Sequence, residues 1–194
     1  MKFLQVVFLM VLFAFAAPAA AQTDTTLKQR LAEYIALTRS MNFDSLMTYI
    51  HPKLFTIAPR EQMVELMKAT FQGDEDIEIQ LDSMETGAIS KPVAFDKGLY
   101  TKISYSMVIK LRMKGDDPEK KADAMMMGIF QSQYGKENVR YDEGTRFYRI
   151  RIQTYMVGVK DSESPEWTFL NFKPEDAITS KLLPKEVVDQ LKQQ

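Results

Sequence analysis

The clearest apolar–polar alternation in the chain runs over residues 99–113. Leu99, Ile103, Tyr105, Met107, Ile109, Leu111 and Met113 share one side of an extended chain, and Lys102, Ser104, Ser106, Lys110 and Arg112 share the other, because successive strand side chains point to opposite faces. At about fifteen residues the run far exceeds a typical strand of roughly five or six, a length that suits a strongly bent sheet. The rest of the chain has to fit around that sheet.

Further strands flank it. Ile77, Ile79 and Leu81 alternate with Glu78, Gln80 and Asp82, which predicts a strand with one wet face. Gly87 and Pro92 interrupt the stretch after it, and Asp96-Lys97-Gly98 reads as a turn. Residues 139–141, the turn Asp142-Glu143-Gly144 and residues 145–159 form a hairpin. Tyr148, Ile150 and Ile152 point inward along its second arm, but at Tyr155, Val157 and Val159 the apolar parity has moved by one residue. A bulge near Gly158 would account for the shift. Residues 167–172 supply the last strand, residues 174–183 a connection, and Pro184 starts a closing helix with Val187, Val188 and Leu191 on one face. Residues 116–135 read as a helix inserted between strands, with Ala122, Met125, Met126, Ile129 and Gln133 on one side.

Before the sheet the period is helical. Thr26 and Gln29 have capping-box spacing for a helix striped by Leu27, Leu31, Tyr34, Ile35 and Thr38 and ending near Arg39. Phe43, Leu46, Met47 and Ile50 fall at i, i+3, i+4 and i+7, with Asn42 as N-cap. His51-Pro52 ends that turn, because the residue before a proline is pushed out of the α region. Pro59 suits the start of a third helix carrying Met63, Leu66, Met67, Thr70 and Phe71, which Gly73 can close. Helices first and antiparallel strands after, with no strand-helix alternation, predict an α+β fold. Without repeats or linkers, residues 22–194 make one domain.

Residues 1–21 have the parts of a secretory leader: Lys2, an apolar run over residues 3–15, and small residues ending Ala19-Ala20-Ala21. That run is short for a membrane span, so no integral membrane protein is expected. The absence of cysteine leaves neither a disulfide framework nor a lipid-bearing cysteine and favours a bacterial periplasmic or secreted location. With 25 Lys and Arg against 26 Asp and Glu there is no basic footprint, and nucleic acid is not an expected partner.

Three segments carry a family resemblance: Tyr34-Ile35, Asn42-Phe43-Asp44, and Thr56-Ile57-Ala58-Pro59 running into Arg60-Glu61-Gln62. Together they resemble the N-terminal pattern of the NTF2-like superfamily and, within it, the ketosteroid isomerases. That resemblance implies an NTF2-like (cystatin-like) cone, in which N-terminal helices pack on a curved antiparallel sheet with a pocket at the wide end. It also implies a short apolar strand at residues 56–58. An isomerase of this kind needs a base to move a proton and buried donors to hold the oxyanion. Tyr34 occupies the matching tyrosine position, but Ala58 stands where the isomerases hold their aspartate base.

Tyr34, His51, Tyr105 and Tyr148 are the candidate ligand-binding residues. Each has a structural role to set beside that one: the tyrosines fill a core, and His51 sits at a helix C-terminus. The 13 methionines, Met125-Met126-Met127 among them, suit flexible core filling or an adaptable surface; a thioether copper site is the alternative. Lys110, Arg112, Arg146, Arg149 and Arg151 could line an anionic site on the outer sheet face or be a solvated strand face. No Gly-rich phosphate loop or metal-spaced set is present, so no cofactor and no metal are expected. The sequence points to an exported, non-catalytic domain binding a small apolar ligand or a protein partner. An isomerase or dehydratase with a site rebuilt around Tyr34 and His51 is the alternative, and a structural subunit that forms a homodimer through the sheet face is a third. Cell fractionation and N-terminal sequencing should find the mature chain beginning at Gln22; a full-length cytoplasmic chain would rule export out.

Overall fold

The computed structural model describes residues 19–73, 76–114 and 121–194. Most of the expected leader, residues 1–18, and the start of the inserted segment, residues 116–120, lie outside the described residues. The order is α1 (Ala19–Arg39), α2 (Phe43–Leu46), 3-10 turns at Met47–Tyr49 and Pro52–Thr56, α3 (Arg60–Gln72), β1 (Ile77–Ile89), β2 (Val93–Phe95) and β3 (Gly98–Met113). Next come α4 (Lys121–Tyr134), a 3-10 turn Lys136–Asn138, β4 (Val139–Asp142), β5 (Phe147–Lys160), β6 (Thr168–Asn171), α5 (Ala177–Leu182) and α6 (Lys185–Lys192). Helices pack on an open six-stranded antiparallel sheet ordered β1-β3-β5-β4, with β2 on β3 and β6 on β5. The fold class is α+β, as the pattern predicts. Among the described residues no helix is long and apolar enough to cross a membrane.

The β3–β5 ladder runs without a slip from Leu99 opposite Lys160 to Leu111 opposite Tyr148. No bulge lies near Gly158, so the change of apolar parity in β5 has another cause. Tyr148, Ile150, Ile152 and Met156 share the inner face with Ile103, Met107, Ile109 and Leu111, while Val157 and Val159 face outward beside Tyr100. They are apolar because α6 covers the outer face at that end, where Val157, Val159, Leu170, Val187 and Leu191 form one buried cluster. The shift in the pattern marks a second core on the other side of the sheet. A genuine irregularity occurs in β1, between Leu81 and Ser83, where the extra residue Asp82 re-aims the strand. The β2–β3 turn forms as expected, with Asp96 and Lys97 at φ of 41° and 65°, the geometry that matches a two-residue hairpin to strand twist.

On the inner face α1 lays Leu27 and Leu31 against Met84, Ile103, Met156, Trp167 and Phe169. Gly158 permits this approach: a Cβ there would stand 3.1 Å from Thr101 Cγ2 and 3.2 Å from Leu27 Cδ1. The chain is already helical from Ala19, the first described residue, so Thr26 lies inside α1 and does not cap it. Asn42 caps α2 by accepting the Ser45 N–H, and the Phe43 ring stacks on Phe71 of α3 at 5.6 Å. The apolar strand implied for residues 56–58 does not form. A 3-10 turn occupies Pro52–Thr56, the Leu54 carbonyl accepts the Ala58 N–H, and Pro59 caps α3.

Helix α4 covers the other end of the inner face with Phe130, Met126 and Met127, which pack with Tyr148, Ile150 and Leu111. The predicted face is rotated: Met125 and Ile129 are 63% and 48% exposed. Phe130 and Tyr134 offer more apolar area than the expected stripe, and burial follows area. Residues 174–183 hold the short helix α5, capped by Asp176. The two-core arrangement separates two substitutions on one side of β5. Val157→Asp should unfold the domain, since an unpaired buried carboxylate costs several kcal/mol against a total stability of about 5–15 kcal/mol. Gln153→Asp, on the same side but exposed, should stay within about 0.5 kcal/mol of the parent, both read by urea denaturation.

Candidate functional site

Between the α1 and α4 covers the inner face is only half-buried at Tyr105, Met107, Ile109, Ile152 and Thr154. Register arranges it in rows. Met84, Met107 and Ile152 lie side by side, as do Ile89, Ile103 and Met156, and between these apolar rows runs a polar one, Thr86, Tyr105 and Thr154. Tyr34 of α1 belongs to the same packed group as Tyr105, with its ring centroid 5.1 Å from that of Phe169. Burial pushes the pKa of the Tyr34 hydroxyl above the ordinary phenol range, with nearby Tyr105 adding to the effect. Burial likewise raises Tyr105.

Neither hydroxyl has a hydrogen-bond partner among the described residues, yet neither is sealed. The indole N–H of Trp167 is the one polar side-chain atom, among the described residues, that is both fully buried and unpartnered. The two phenol oxygens are therefore not fully enclosed, and both rings pack in one apolar group with Ile103, Met156 and Phe169. No Asp or Glu falls on the inner face of β1, β3 or β5 by this register. What this arrangement offers chemically is apolar contact plus a few hydroxyl donors, the usual make-up of a small-molecule pocket.

The four sequence candidates do not converge. Tyr34 and Tyr105 meet; Tyr148 is 1% exposed and locked edge-on to Phe130 at 5.3 Å. His51, also 1% exposed, is turned to a different task. Its Nδ1 accepts the Lys53 N–H at 3.3 Å, and its Nε2 lies 3.3 Å from Asp161 Oδ1. With Nδ1 an acceptor, Nε2 carries the proton and donates to the carboxylate. Asp161 also accepts the Glu163 and Ser164 N–H groups, each at 2.9 Å. The histidine thus fastens the 3-10 turn to the β5–β6 loop.

Thr86 and Thr154 are lining residues that sequence reasoning passed over; alternation alone could have placed Thr154 on the inner side of β5. A polar seam beside α1 was also missed. There Glu33 accepts the Tyr49 hydroxyl at 2.9 Å, and Arg30 lies over the Tyr49 ring at 4.1 Å and pairs with Glu166 at 3.1 Å. Hydrogen bonds from Gln29 and Tyr49 hold the Glu33 carboxyl below its usual range, so it stays a charged structural acceptor. Of the neighbouring methionines, Met125 is exposed while Met126 and Met127 pack inward. Among the described residues no group of three or more His, Asp or Glu is placed to hold a metal ion. No protein-family model matches the chain, and no curated protein matches its sequence.

Asp161 gives a pH test of the His51 fastening. Burial alone would raise its pKa, but the Ser164 N–H, His51 and the Glu163 N–H outweigh it and hold the value below the ordinary one. A carboxyl depressed by folding contributes stability that is complete above its unfolded pKa, near 3.9, and is lost as pH falls through the lower folded value. Asp161→Ala should therefore destabilise the domain by about 1–3 kcal/mol at pH 7. Urea midpoints should show that gap narrowing below pH 4; a gap that holds constant with pH would mean the pair contributes packing alone.

Proposed function

We propose that this chain is an exported, non-catalytic binding module of NTF2-like architecture whose inner hollow takes a small apolar ligand. The observation that carries the reading is the polar row Thr86–Tyr105–Thr154 set among apolar rows beneath Tyr34. A core that served packing alone would gain by burying Met107, Ile109 and Ile152 fully, at about 25 cal/mol per Å². Half-exposed apolar floor with unsatisfied hydroxyls is instead what a ligand completes. The resemblance of residues 34–62 to the ketosteroid isomerases supports the same location for the pocket. Ala58 and the carboxylate-free inner face supply no base there, and His51 is engaged with Asp161.

The test uses the purified mature chain, native mass spectrometry and a β,γ-unsaturated ketosteroid, with conjugation followed by absorbance. A retained or added apolar molecule without turnover is the expected result. Thr154→Phe, which fills the hollow opposite Tyr105, should abolish binding while leaving the fold intact. Tyr34→Phe should weaken binding by roughly 2- to 10-fold, the value of one hydrogen bond of about 0.5–1.5 kcal/mol. Turnover lost in Tyr34→Phe or His51→Ala would favour the isomerase reading. Absence of both turnover and ligand would leave a protein-interaction role in its place.

A further inference from the structure

The opposite face of the sheet carries a second feature that the inner hollow does not use. Register sets Arg140 of β4 directly opposite Arg149 of β5, and Arg149 directly opposite Lys110 of β3. Arg151 is two residues further along β5 and so lies on the same side. Like charges placed directly opposite one another destabilise a sheet, and the neighbouring cations are compensated. Asp82 takes Lys110 at 2.6 Å and Arg149 at 2.9 Å, and Glu78 takes Arg112. Hydrogen bonding to Lys110, with Arg149 adding its charge, holds the Asp82 carboxyl below its usual range. Lys102 rests over the Tyr155 ring at 5.1 Å.

Arg140 and Arg151, by contrast, have no ion pair or hydrogen bond among the described residues, although carboxylates elsewhere on this face are within reach of their neighbours. Both border a hollow of about 370 Å³ that Arg149, Asn138, Gln153 and Glu137 complete. The Glu137 carboxylate accepts the Asn138 side-chain amide at 3.2 Å, and Arg149 is shared with Asp82, which leaves the guanidinium groups of Arg140 and Arg151 beside the single lining carboxylate in a chain whose formal net charge is −1.

We propose that this hollow is a binding site for a tetrahedral oxyanion, the phosphate or sulfate group of a ligand. Guanidinium groups present rigid forks of N–H donors that match such oxygens. Three of them reaching in from two strands approach a tetrahedral anion from different directions, where a planar carboxylate has two oxygens to offer. The bound anion also gives Arg140 and Arg151 the counter-charge that Arg149 already has in Asp82.

Isothermal titration calorimetry of the full chain with inorganic phosphate, at constant ionic strength set with chloride, tests the site. Saturable binding is expected, weakened tenfold or more in Arg140→Gln and in Arg151→Gln and unchanged in Arg112→Gln, whose partner is Glu78. Without phosphate, Arg140→Gln should match or exceed the parent in urea midpoint, because it relieves repulsion; a fall would give the arginine a structural role and overturn the assignment. Acetate that competes as well as phosphate would overturn it too, as would phosphate binding that is absent or indifferent to both arginines. Sedimentation with phosphatidylglycerol vesicles separates the sources of the oxyanion. Arg151-dependent co-sedimentation assigns it to a lipid headgroup, and phosphate binding without co-sedimentation assigns it to a free ligand.

Discussion

The β3–β5 ladder is the constraint on which the other parts depend. Because its register holds from Leu99–Lys160 to Leu111–Tyr148, every side chain along both strands is committed to one face over the whole length of the sheet. A slip of one residue would exchange the two faces outright. The helices then divide the faces between them: α1 and α4 take the two ends of the inner face, and α5 and α6 take one end of the outer face. Two regions are left with the least cover by this division, the half-buried middle of the inner face, which α1 reaches with Tyr34, and the α4-side end of the outer one. The tyrosine row occupies the first and the arginine cluster the second.

Much of this architecture was legible because it is local. The alternation of residues 99–113, the Asn42 cap, the Asp96-Lys97-Gly98 turn and the Val187, Val188, Leu191 stripe each need only a few neighbouring residues to be read. What was misread depends on partners far along the chain. The parity of Val157 and Val159 looks like a bulge until α6 is seen lying over them, and α4 turns Phe130 rather than Ile129 inward because Tyr148 and Leu111 wait there. The 3-10 turn at Pro52–Thr56 replaces a strand because the His51 N–H is drawn to the Phe169 carbonyl and its ring to Asp161, a partner with no signature near residue 51.

The candidate site shows the same division. Tyr34 and Tyr105 were identifiable from helix spacing and strand parity, and the structure brings them together. Thr86 and Thr154 acquire meaning only through register, which lines them up on either side of Tyr105. Tyr148 has the same parity as Thr154 but a different fate, since α4 closes over it and sets Phe130 edge-on to its ring. Facing inward is therefore necessary for a place in the half-buried rows and does not suffice; the position of the covering helices decides which inward residues stay partly accessible.

Both of these least-covered regions are places where local chemistry disagrees with the stability of the fold. Apolar side chains left half-exposed forgo hydrophobic stabilisation, phenols without partners forgo hydrogen bonds, and arginines directly opposite one another repel. Elsewhere the same sheet resolves comparable conflicts: Asp82 serves two cations, Glu78 one, and Val157 and Val159 are fully covered. A chain that can compensate its charges and bury its valines at one end of β5 has the means to do so at the other. That the exceptions gather in the two stretches with the least helical cover, one on each face, is the physical ground for proposing that those stretches are completed from outside the chain.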